Sequence, residues 1–83
     1  MPRYLVEGSF SEGWQMPVGP EVIERNADEG VTWLHSYVSE ERRRTFCVFD
    51  APSPEAIRKT AARNGLPIDR ISQVRVLSPY VYP

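Results

Sequence analysis

The sequence predicts an α+β domain in the order strand, helix, strand, strand, helix, strand, and three observations predict it. Two prolines, Pro20 and Pro54, stand where a helix begins. Two runs rich in β-branched and aromatic residues, Val31 to Val38 and Thr45 to Phe49, are separated by six polar or charged residues. Shorter strand-like runs lie toward each end of the chain. The 83 residues suffice for one hydrophobic core, and a content of 41% hydrophobic and 25% charged residues belongs to ordinary globular chains, so residues 1–83 are expected to form one domain.

Each element has its own local reason. Residues 3–8 read as a first strand, and Ser9 to Gly19 form a loop with apolar anchors, carrying Gly13, Pro17 and Gly19 among Phe10, Trp14 and Met16. Pro20 suits the first helical turn, where its missing N–H is not needed, and Glu21 and Glu24 suit the positive end of the helix dipole. Val22, Ile23, Asn26 and Ala27 recur at helical spacing, and Gly30 ends the helix. The second and third strands follow as a hairpin. In Ala51-Pro52-Ser53-Pro54-Glu55, Ser53 can cap a helix that Pro54 opens; Ile57, Ala61 and Asn64 share one side of it, and Gly65 and Pro67 stop it. Ile71 to Leu77 alternates well enough for a last strand before the tail Pro79-Tyr80-Val81-Tyr82-Pro83. Two β-helix-β halves in succession fold as one four-stranded antiparallel sheet with both helices on one face, the ferredoxin-like βαββαβ arrangement.

The hairpin pattern bears on assembly. Pairing Val38 with Arg44 puts Trp33, His35 and Tyr37 on the same side as Phe49, Cys47 and Thr45, and puts Leu34, Val38, Phe46 and Val48 on the other. The second set is the more aliphatic and is expected beneath the helices. The first would then lie open to water, and a monomer seldom exposes so many contiguous aromatics. A homodimer joined through that face is expected, enclosing a semi-closed cavity between two sheets.

In that register His35 and Cys47, the chain's only histidine and only cysteine, fall directly opposite one another. Taken alone, the pair reads first as a packed histidine beside a small buried thiol. Its functional reading is a metal centre, with Tyr37, Glu7 and Tyr4 as candidate oxygen donors: imidazole, thiolate and carboxylate or phenolate suit nickel, zinc or copper better than magnesium or calcium. The spacing matches neither a zinc finger nor a HExxH helix. A thiolate-imidazole nucleophile ranks lower, because no orienting third group or oxyanion site accompanies it. Serine-hydrolase and phosphate-loop signatures are absent. The Trp14 and Met16 loop reads as a lid over core or interface, or as a gate to the cavity.

Composition narrows the partners. A formal charge of -1 offers no field for phosphate backbones, so nucleic acid is not an expected partner. Arg42-Arg43-Arg44 reads as a solvated turn, since Glu40 and Glu41 precede it and no aromatic stacking set surrounds it in the sequence. A lone cysteine excludes an internal disulfide and is kept reduced most easily in the cytoplasm. The opening Arg3-Tyr4-Leu5-Val6-Glu7 breaks too soon for a signal segment and no run reaches the length of a membrane span, so a cytoplasmic protein without membrane partners is expected.

Three segments together carry a resemblance: Trp33-Leu34-His35-Ser36-Tyr37-Val38, then Cys47-Val48-Phe49-Asp50-Ala51-Pro52, then Asn64-Gly65-Leu66-Pro67-Ile68-Asp69-Arg70-Ile71. The chain resembles a small bacterial nickel-binding family long classed as a domain of unknown function. The likeness runs from Tyr4-Leu5-Val6-Glu7 to about Val76 and is weakest from Gly8 to Gly30. It implies a ferredoxin-like fold, a dimer and nickel on the sheet, with His35 and Cys47 as the first ligands to test and Glu7 and Tyr37 at matching positions. The expected function is therefore transition-metal binding, with nickel the implied metal, for storage, sensing or buffering, and turnover is not implied. A dimeric α+β barrel enzyme or small-molecule binder using the inter-sheet cavity is the alternative, on fold analogy alone. A protein-docking module is the third reading.

Overall fold

Alternation along the first strand separates the two sides of the sheet. In β1 (Arg3–Ser9) Tyr4, Val6 and Gly8 are buried, while Arg3, Leu5 and Glu7 between them are half-buried. This is a computed structural model and it describes residues 1–81; Tyr82 and Pro83, the end of the expected tail, lie outside the described residues. After β1 come α1 (Pro20–Asp28), β2 (Thr32–Val38), β3 (Arg44–Asp50), α2 (Pro54–Asn64) and β4 (Arg70–Val74), the expected βαββαβ order. The strands make one antiparallel sheet in the order β2-β3-β1-β4, with β1 and β3 in its centre.

Local chemistry accounts for the helices. In α2 the Ser53 hydroxyl accepts a hydrogen bond from the Ala56 N–H at 3.2 Å, Pro54 opens the first turn, and Gly65 closes the other end with φ 72 in the left-handed region. Ala56, Ile57, Thr60 and Ala61 form its buried side. In α1 only Val22 and Asn26, one turn apart, are buried, whereas Ile23, expected on the apolar side, is exposed. The stripe is narrow because the inward position after Val22 is taken by Asn26, whose side-chain oxygen accepts from Asn64 Nδ2 at 3.2 Å and joins the two helices.

The core lies between α2 and one side of the sheet. Tyr4, Val6, Val31, Cys47, Phe49, Ala51, Ile57, Ala61 and Leu66 form it, with Trp14, Met16, Trp33, Ile68 and Ile71 packed against it. The loop anchors Trp14 and Met16 thus cover the core, and Trp14 Nε1 donates to the Gly65 carbonyl at 3.3 Å. At Gly8 the sheet approaches the loop after α2 so closely that a Cβ would overlap the Pro67 carbonyl oxygen. Strand ends follow their partners. β4 stops at Val74, short of the expected Leu77, because Val74 pairs with Arg3, the first residue of β1; Val76 and Leu77 beyond it are exposed. No helix among the described residues is long and apolar enough to cross a membrane.

Candidate functional site

A β-bulge in β2 decides where His35 and Tyr37 stand relative to Cys47. Thr32 and Trp33 pair with Asp50 and Phe49, but after an irregularity at Leu34 the register moves by one residue: His35 pairs with Val48, Ser36 with Cys47, Tyr37 with Phe46 and Val38 with Thr45. The expected pairing of His35 with Cys47 is therefore corrected to Ser36 with Cys47. Because side chains alternate, the one-residue shift sends His35 and Cys47 to opposite sides of the sheet.

The sides themselves are the reverse of the expectation for β3. Thr45, Cys47 and Phe49 face the helices and are buried, and Phe46 and Val48, expected beneath the helices, lie half-buried on the open side. Trp33 stays with Phe49 on the helix side, their rings stacked at 5.7 Å, and donates from Nε1 to the Ser36 hydroxyl at 2.6 Å. Cys47 is wholly buried, and burial pushes its thiol pKa up while the Ser36 and Thr45 hydroxyls pull the other way. It is a protonated core residue, inaccessible to an ion on the open face. Tyr4, the further oxygen donor considered, is also buried on the helix side.

The open face is built in rows across the strands. One row is Tyr37, Phe46, Glu7 and Arg70; the next is His35, Val48, Leu5 and Ser72; a third is Thr32, Asp50, Arg3 and Val74. His35 and Tyr37 are exposed, and their rings meet edge to face at 5.4 Å. Glu7 shares their side of the sheet but lies two strands from Tyr37, about 10 Å at the usual strand spacing, with Phe46 between them. Its carboxylate stands 3.6 Å from Arg44, whose guanidinium lies 5.2 Å from the centre of the Phe46 ring. Arg3 holds Asp50 through two contacts, 2.9 and 3.3 Å, and this keeps the Asp50 carboxyl below the usual range.

The four-residue set of His35, Cys47, Glu7 and Tyr37 does not come together, since Cys47 is on the far side of the sheet. Among the described residues no three His, Cys, Asp or Glu side chains are grouped to hold an ion. What remains on one face is an imidazole beside a phenol, with a carboxylate farther along: an incomplete set, of a donor chemistry that suits borderline divalent ions.

The profile of a family described as nickel responsive protein, SCO4226-like, matches residues 20–74. The chain belongs to that family. The SCO4226-like match runs from α1 through β4, so it includes His35, Tyr37 and Cys47 and leaves Glu7 outside. The fold is also similar to the crystal structure of SCO4226 from Streptomyces coelicolor A3(2), with a TM-score of 0.70, 18% sequence identity, and coverage of 92% of this chain and 99% of that one. At that identity the likeness is one of fold. No curated protein matches the chain.

Two features of this SCO4226-like chain escaped the sequence. The open-face position of Phe46 and Val48 is the first, and β2, which carries no glycine or proline, gives no sign of the bulge that sets His35 beside Val48. The second is a cleft of about 770 Å³ that brings Phe10, Trp14 and Met16 to Arg42 and Arg43. The arginine run therefore does have aromatic neighbours, contrary to the reading from adjacent residues; they arrive from a loop some thirty positions earlier, and only the pairing of β1 with β3 brings that loop alongside.

Proposed function

We propose that the protein binds a divalent transition metal, nickel in the first instance, on the open face of its sheet, as a homodimer that stores, senses or buffers the ion in the cytoplasm. The observation that carries this reading is the position of His35: the chain's only imidazole stands exposed on the side the helices leave free, beside Tyr37. The family's description as nickel responsive supports the choice of metal. Imidazole nitrogen suits nickel, and the Tyr37 phenol and Glu7 carboxylate are the oxygen donors on the same face. One chain supplies too few of these for a coordination sphere, and a two-fold axis on this face would double the set. Cys47 has no part in it.

The test is nickel titration of tag-free protein by calorimetry, with sedimentation of the same samples. His35→Ala is expected to weaken binding by at least about a hundredfold, whereas Cys47→Ala titrates as the wild type does. Wild-type protein that takes up no nickel, or His35→Ala protein that binds it unchanged, would overturn the proposal.

A further inference from the structure

A cleft lies away from the open face. The cleft of about 770 Å³ between the β1–α1 loop and the tip of the β2–β3 hairpin shares no residue with the set of His35, Tyr37 and Glu7. Its volume is in the range that encloses a small organic molecule. Phe10, Trp14, Met16 and Val38 supply apolar lining, and Phe10 and Trp14 stand with ring centres 4.7 Å apart.

The walls are tied in place. The Phe10 N–H donates to the Arg43 carbonyl at 2.8 Å and joins the loop to the hairpin, while Trp14 Nε1 holds the middle of the loop to Gly65. The Ser39 hydroxyl accepts from the N–H groups of Arg43 and Arg44 at 3.3 and 3.0 Å, which fixes the turn. Arg42 sits in that turn with φ 57, a left-handed conformation that favours glycine. The turn thus presents a guanidinium where the backbone alone would favour a residue with no side chain.

Four charged side chains line the cleft: Arg42, Arg43, Glu12 and Glu41. None of them belongs to an ion pair among the described residues, although Arg44 next to them is engaged with Glu7. A ligand with only a negative charge would meet two carboxylates, and one with only a positive charge would meet two guanidinium groups. A ligand carrying both meets a partner for each.

We propose that this cleft binds a small aromatic zwitterion of the free aromatic amino-acid class, its ring against Trp14 and Phe10, its carboxylate toward Arg42 and Arg43 and its ammonium toward Glu12 and Glu41. Arginine with carboxylate gives the directional part of the binding, and the aromatic lining gives the rest.

The test uses four probes on the whole chain, followed by the NMR signals of the Trp14 indole N–H and the Arg42 and Arg43 amides: phenylalanine, 3-phenylpropionate, phenethylamine and glycine. Phenylalanine is expected to shift these signals saturably and to bind more tightly than either singly charged analogue, and glycine is expected to leave them in place. Arg42→Gly relieves the backbone at φ 57 and removes the guanidinium, so it keeps the fold; it is expected to weaken phenylalanine and 3-phenylpropionate by about tenfold while leaving phenethylamine unchanged. Absence of saturable shifts with phenylalanine, equal affinity for all three aromatic probes, or Arg42→Gly protein that binds phenylalanine as the wild type does would each overturn the proposal.

Discussion

Burial holds the Cys47 thiol protonated, and two consequences can be measured at this one residue. In the native protein a thiol reagent such as iodoacetamide is expected to leave Cys47 unmodified and to label it only on unfolding; native labelling at the rate of an exposed thiol would contradict the burial. Because the folded thiol pKa is raised above its ordinary value of 9.0, its contribution to stability is complete below that pH and is lost as the pH rises past it, where the unfolded thiol ionises first. Urea unfolding across this range is therefore expected to show a steeper alkaline loss for wild type than for Cys47→Ala. Asp50 has the opposite sign. Its pKa is lowered from 3.8 by the hydrogen bonds of Arg3, so the pair supports the fold above that pH and ceases to as the pH falls further; Asp50→Asn is expected to flatten the stability profile below it. Both side chains were legible in the sequence as residues, but their protonation depends on neighbours that arrive from other strands.

The elements themselves were largely legible. Ser53, Pro54 and Gly65 mark the ends of α2 by chemistry that acts within a few residues, and the structure places all three where the sequence does. The bulge in β2 was not legible, since Trp33-Leu34-His35 carries no glycine or proline to announce it. Leu34 is the extra residue, and a chain without it would pair His35 with Val48 in unbroken register. Deletion of Leu34 is therefore expected to keep the fold, within about 2 kcal/mol of wild type by denaturant unfolding, and to keep the cross-strand contact of His35 with Val48 in NMR spectra. A contact of His35 with Cys47 instead would show that the extra residue lies elsewhere. The approach of β1 to the loop after α2 gives a sharper expectation. Gly8→Ala adds a methyl group against the Pro67 carbonyl and is expected to cost about 3 kcal/mol.

At the scale of the whole molecule, what remains open is the side of the sheet opposite the helices. Leu5, Phe46 and Val48 lie half-buried on that face beside exposed Tyr37. Val48 is next to His35 in the central rows of the face, where a carboxylate would oppose closure of two sheets and leave the core untouched. In sedimentation, Val48→Glu is expected to be a folded monomer under conditions in which wild type is a dimer. A wild type that stays monomeric with and without nickel would remove the dimer from the proposed function.

What the sequence determined by itself was the order of elements, the caps and turns, and the inventory of groups able to touch a metal: one imidazole, one thiol, and a few phenols and carboxylates. Caps and alternation depend on residues a few positions apart, so the letters carry them. Only the tertiary structure decided which of those groups share a side of the sheet, because one extra residue in β2 inverts the facing of the β2 residues after it relative to β3. It also decided what stands beside the hairpin arginines, because strand pairing brings Phe10 and Trp14 there from a distant part of the chain. Sidedness in a sheet is a property of pairing between strands, and no single strand encodes it.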